Sequence, residues 1–225
     1  MLQNSTELAA ELIQIYYEDS QLSELYPFAR PYRNDKLTIF FENEVIARLV
    51  PTVEAERIAI CSWRLREKMY WQLKKPRDLT EFLLDNETYD VLSFTNNSQS
   101  HRMLAAAEGW HPGFIDTLRL LLDKINVSLP FFVRHAIYQN HFCARSDIYL
   151  DYVESYLKPA MTAIMDDENL YRQCVSNANY VDHSRRDQSF LQEKIDLPYY
   201  PLAPFILERL FSIYCANKNI TVSYL

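Results

Sequence analysis

The chain has almost no glycine. Of its 225 residues only Gly109 and Gly113 are glycine, which excludes phosphate loops of the G-x-G-x-x-G or Walker kind. Most glycine-turned hairpins go with them, which argues against an all-β fold. Turns must rest on ten prolines and on Asn and Asp instead. Basic excess is missing too: 23 Lys and Arg stand against 30 Asp and Glu, a formal charge of -7. That argues against a general nucleic-acid binder, which would need a basic face. No run approaches 18 apolar residues, so no membrane span is expected. The opening Met-Leu-Gln-Asn-Ser-Thr-Glu carries neither the basic nor the apolar stretch of a signal peptide. The cysteines (Cys61, Cys143, Cys174, Cys215) form no C-x-x-C and sit in apolar surroundings, as buried thiols of a cytoplasmic protein do.

Several catalytic signatures are missing as well. The five histidines form no H-x-x-x-H or H-E-x-x-H pair, and there is no G-x-S-x-G elbow. The acidic run Asp166-Asp167-Glu168 could attract a divalent cation, and a helix end explains it equally. Cys143 follows His141 by two residues, which on a strand puts both on one face, as a core pair or a reactive one.

What is present is the 48% hydrophobic content of a globular chain, enough at this length for one core and one domain. Residues 5–18 read as a helix with Leu8, Leu12, Ile15 and Tyr16 on one stripe. A proline-spaced connector follows to residue 35. Leu37–Phe41 reads as a strand, Glu42–Val50 as a helix ended by Pro51, and Ile58–Cys61 as a strand buried on both faces. A helix from Trp63 to about Leu73 follows, with Ser62 as a candidate cap. Further strands are expected at Tyr89–Phe94, Ala136–Ala144 and Thr221–Leu225. Further helices are expected over 78–84, from the alanine-rich stretch to Gly109, over Ile115–Ile125, from Ser146 with a kink at Pro159, over Asn169–Ala178 and over Phe205–Ala216. Val181–Lys194 reads as a polar loop or lid. Alternating strands and helices make the class α/β.

Glu56–Met69 is the stretch with most chemical promise. The carboxyl end of a buried strand at the start of a helix is where open α/β sheets place ligands. Arg64 and Lys68 face together one turn apart there. They suit either an anion or a solvated face with Glu67 as partner. Trp110-His111-Pro112 could stack on a sugar and hydrogen-bond it, or staple the next helix. Asn140 and His141 place polar groups in an apolar segment and need partners, from backbone or ligand. Glu208-Arg209, inside an apolar helix, is a paired structural charge or a carboxylate facing a pocket. A surplus of 16 Tyr and 12 Phe also fits a helical adaptor with an aromatic surface.

Three segments together resemble a family of bacterial capsular-polysaccharide-type glycosyltransferases. Ile58-Ala59-Ile60-Cys61-Ser62-Trp63-Arg64 is similar to a strand ending in a His-Tyr-Arg-Arg-Tyr-type motif. Asn140-His141-Phe142-Cys143-Ala144-Arg145, with Tyr149 and Tyr152, is similar to an Asn-Met-Phe-Ile-Met-type strand that leads into a Tyr-rich helix. Phe205-Ile206-Leu207-Glu208-Arg209-Leu210-Phe211 is similar to the Phe-Leu-(Ser/Ala)-Glu-Arg-Leu helix that closes the family's chain. In the first segment the histidine is Ser62 and the second arginine Leu65, so Arg64 alone carries over. The resemblance implies a helix-rich, GT-A-like mixed sheet over 36–225. It lacks the usual first nucleotide-binding strand, since 1–35 read as helix and connector. It implies transfer of a sugar from a nucleotide-sugar to a glycan acceptor, or a silent protein that keeps the fold to bind or assemble. Glu208 would be the acceptor-side carboxylate or base. Arg64 and Lys68 would neutralise the diphosphate without a metal or other cofactor, His111 and Asn140 would hold hydroxyls, and Arg185 and Arg186 would close over phosphate.

Overall fold

The computed structural model describes residues 8–73, 89–94, 102–180 and 188–224. They form one α/β domain around a six-stranded mixed sheet with helices on both faces. Strands β1 (Leu8–Tyr16), β2 (Arg30–Arg33), β3 (Ala55–Ser62), β4 (Val91–Ser93), β5 (Phe142–Arg145) and β6 (Val222–Tyr224) lie in the order β2-β1-β3-β5-β4-β6. All pairings are parallel except those of β5, which runs against β3 and β4.

Residues 8–16, expected as helix, are the strand between β2 and β3, so the segment before residue 36 belongs to the same sheet. The expected absence of a first strand is corrected with it. The register pairs Leu12 with Ala59 and Ile13 with Ile60. Ile13 and Ile15 face the larger core with Ile58 and Ile60, while Leu12 faces the smaller core with Ala59 and Cys61. A strand buried on both faces has no polar alternation, and so short an apolar run fits a helical stripe equally. Gln14 is fully buried between these strands; its Nε2 donates to the Ser62 carbonyl at 3.3 Å and its Oε1 accepts from Tyr26 N at 2.6 Å.

Leu37–Phe41, expected as strand, is irregular chain whose Leu37, Phe40 and Phe41 reach into the larger core. Helices α1 (Glu42–Leu49) and α2 (Leu65–Leu73) pack on opposite faces of the sheet. α1 puts Val45 and Ile46 into the larger core; α2 puts Leu65 and Met69, one turn apart, into the smaller. Helix α3 (Met103–Trp110) runs through Gly109 and ends at His111, and α4 (Phe114–Lys124) follows. Of the expected strand at 136–144 only the last residues join the sheet.

Ser146 does not cap the next helix but begins it, its hydroxyl donating to the Ala55 carbonyl. Helix α5 (Ser146–Tyr152) passes through a π turn, Val153–Leu157, into α6 (Lys158–Asp166). Pro159 lacks an N–H and crowds the Ser155 carbonyl, and the chain widens there instead of breaking, with Lys158 N–H reaching Val153 O. Asp167 caps α7 (Glu168–Cys174) through Leu170 N at 2.9 Å. Gln188–Ile195, expected within a loop, is helix α8; the helix expected over 78–84 lies outside the described residues.

The last helix, α9 (Ala203–Lys218), is buried along most of its circumference. Phe211 stacks on Phe142 of β5 with centroids 3.9 Å apart and meets Tyr152 edge-on at 4.8 Å. Tyr149, Tyr152, Tyr214, Phe142 and Phe211 are all fully buried. These aromatics are core, while Phe131, Phe132 and Trp110 are exposed. Among the described residues no helix is long and apolar enough to cross a membrane.

Candidate functional site

The order β2-β1-β3 means the chain leaves β1 toward one side of the sheet and later returns on the other. The carboxyl ends of β1 and β3 therefore flank a topological switch point, where α/β sheets open a crevice. α1 borders it from one face and α2 from the other. Two sets of polar residues gather along this edge.

The first set brings together residues distant in sequence. Lys68 of α2 lies within the electrostatic reach of Glu208 of α9 and Glu42 of α1. Burial lowers the pKa of its amine, against the pull of those two carboxylates. Glu208 has 17% of its side chain exposed and accepts from Arg209 Nη1 at 3.0 Å. Burial raises its carboxyl pKa, while Arg209 and Lys68 hold it down. Arg64 precedes α2 and is held by Glu67 through Nε–Oε2 at 2.8 Å and Nη2–Oε1 at 3.0 Å. Asn140 is buried, donates to Asn43 Oδ1 at 3.3 Å, and its carbonyl accepts from Cys61 Sγ at 3.5 Å.

The turn into β5 is strained. Gln139 and Asn140 have φ of 63° and 54°, left-handed values that non-glycine residues rarely adopt. Around that turn several buried polar atoms have no hydrogen-bond partner among the described residues: Ser62 Oγ, the Tyr138 hydroxyl, Gln139 Oε1, His141 Nε2 and Arg209 Nε. Native cores leave few such atoms unpartnered. Burial, with the Lys68 and Arg64 charges, holds His141 well below the usual imidazole range, so it stays neutral.

The second set lines a pocket of about 400 Å³ beyond the ends of β1 and β2. Tyr17, Glu18, Asp19, Arg33, Asn34 and Asp35 form its walls with Phe190 and Lys194 of α8. Arg33 spans it, with Nη1 2.8 Å from Asp19 and Nε 2.8 Å from Asp35. None of these residues stood out in the sequence, because reading 8–16 as helix hides the strand ends that carry them.

The remaining candidates stand elsewhere. His111 Nδ1 donates to the Ala178 carbonyl at 2.6 Å and its ring lies 4.1 Å from that of Phe205. Burial lowers its pKa, and the contact with Ala178 partly restores it. Trp110 is exposed. Arg185 and Arg186 lie outside the described residues. Asp167 is occupied as a helix cap and as the partner of Lys124. Cys143 is pushed up to about 12 by burial, so its thiol is not a ready nucleophile beside His141. Among the described residues no three His, Cys, Asp or Glu side chains are grouped as metal ligands. Compared with known proteins, the chain matches no family model, no curated protein and no solved structure.

Proposed function

We propose that this chain is a glycosyltransferase-like protein of GT-A-like build that binds a nucleotide-sugar along the carboxyl edge of its sheet and presents it to a glycan acceptor. The observation that carries the reading is the meeting of Arg64, Lys68, Asn140 and Glu208. Arg64, Asn140 and Glu208 come from the three segments that resemble the capsular-polysaccharide family, and Lys68, one turn after Arg64, lies within electrostatic reach of Arg64 and Glu208. The strand at 8–16 supports the reading further, since a pocket of about 400 Å³ opens beyond its carboxyl end.

In this reading the nucleoside sits beyond β1 and β2 and the sugar reaches toward Asn140 and Glu208. The acceptor hydroxyl oxygen attacks the anomeric carbon as the bond from that carbon to the diphosphate oxygen breaks. Glu208 takes the acceptor's proton, and Lys68 with Arg64 offsets the charge left on the diphosphate.

One observation favours a second reading, a protein that binds without transferring. Arg64 and Glu208 are both engaged in ion pairs, with Glu67 and Arg209. A thermal-shift screen against UDP, GDP, CMP, TDP and their sugars, with and without Mn²⁺, tests both. A rise in melting temperature that Arg64→Ala or Lys68→Ala removes is expected. If no species raises it, the reading fails; if sugars bind but no nucleoside diphosphate is released with any acceptor, the binding protein stands.

A further inference from the structure

Arg209 is the least exposed charge in this corner, with 4% of its side chain exposed. A buried guanidinium is costly unless several groups hold it. Here its carbon lies 4.7 Å from the centre of the Tyr138 ring, a cation–π contact, and one of its nitrogens is given to Glu208. Its Nε has no partner among the described residues. Consecutive residues of a helix point about 100° apart, so the two side chains must turn toward each other for this contact. Tyr138, on the strained approach to β5, is the wall against which the guanidinium is turned.

We propose that Arg209 is the positioning residue of the site: braced on Tyr138, it holds the Glu208 carboxylate in place through their direct hydrogen bond. The role given to Glu208 rests on the reading above; the link between Arg209 and Glu208 does not. Among the described residues, the charges that act on Glu208 are Arg209 from its own helix, Lys68 from α2 and Glu42 from α1. Arg209 and Lys68 favour the carboxylate, while burial and Glu42 oppose it. Arg209 is the one that is hydrogen-bonded to it. Without Arg209, the carboxyl group would hold its proton to higher pH and would be a poorer acceptor of another at neutral pH.

The test is a carboxyl-carbon NMR titration of Glu208, its signal assigned from the Glu208→Gln spectrum, in wild type, Arg209→Met and Arg209→Lys. The expected result is a midpoint raised by about one pH unit or more in Arg209→Met and close to wild type in Arg209→Lys. An unmoved midpoint in Arg209→Met overturns the proposal. Should that variant not fold, Tyr138→Leu is titrated instead: a smaller rise supports the brace and an unmoved midpoint overturns it. Nucleotide thermal shifts on the same samples separate the two claims. A moved midpoint without any nucleotide shift keeps the positioning role and removes the transferase reading. An intact nucleotide shift with an unmoved midpoint does the reverse.

Discussion

Arg64 and Glu67 meet fork to fork, Nε to Oε2 at 2.8 Å and Nη2 to Oε1 at 3.0 Å. This is the geometry in which a guanidinium also grips a phosphate, so in the proposed function the Glu67 carboxylate competes with a diphosphate oxygen for Arg64. Glu67→Gln is expected to tighten nucleoside diphosphate binding by roughly threefold to tenfold, since a tenfold change is 1.4 kcal/mol. The cost to folding stability should stay under about 1 kcal/mol, because Glu67 is half exposed. Isothermal titration with UDP or GDP measures the first and urea denaturation the second. Unchanged or weaker binding would remove Arg64 from the phosphate side.

Gln14 distinguishes the strand from the helix that the sequence suggests. On a helix with Leu8, Leu12 and Ile15 inward, Gln14 falls off the apolar stripe, and Gln14→Ala would be nearly neutral. In the sheet it is fully buried and ties Tyr26 N to the Ser62 carbonyl. Losing it leaves two backbone groups unpaired and should cost roughly 2 kcal/mol in urea denaturation.

Acid should destabilise the protein through its histidines. His111, His135 and His141 are all lowered, with burial as the main cause. The unfolded chain then takes up protons before the folded one. Nothing is lost above the unfolded value near 6.5, and stability falls as the pH drops below it, by up to about 1.4 kcal/mol per unit for each group. The melting temperature should decline from about pH 6.5 downward, and His141→Gln should flatten that decline. A His141→Gln profile parallel to wild type would contradict the neutral, buried state of His141.

The four thiols should be silent in the native protein. Cys61, Cys143, Cys174 and Cys215 are buried and raised by burial, Cys143 and Cys174 to about 12. A thiol reagent such as Ellman's should react with none of them within minutes at pH 8 and with all four in strong denaturant. Fast native labelling at Cys61 or Cys143 would show that the smaller core opens to solvent.

Fold class and the corner at Arg64 were legible in the sequence because local features carry them. The run Ile58–Cys61 is apolar at every position, as a strand covered on both faces must be, and the residues after it open a helix. Near absence of glycine ruled out the phosphate loops on backbone grounds alone. Tertiary structure decided the rest. Whether Leu8–Tyr16 is strand or helix turns on Ile13 meeting Ile60 and Gln14 finding Ser62, contacts across nearly fifty residues that no local periodicity encodes. The pocket beyond β1 and β2 exists only once that strand is in place. The approach of Glu208 to Lys68, and the brace of Tyr138 under Arg209, join segments some seventy and more residues apart. Spacing along the chain fixes which side chains share a face; which distant faces then meet is settled by how the core closes.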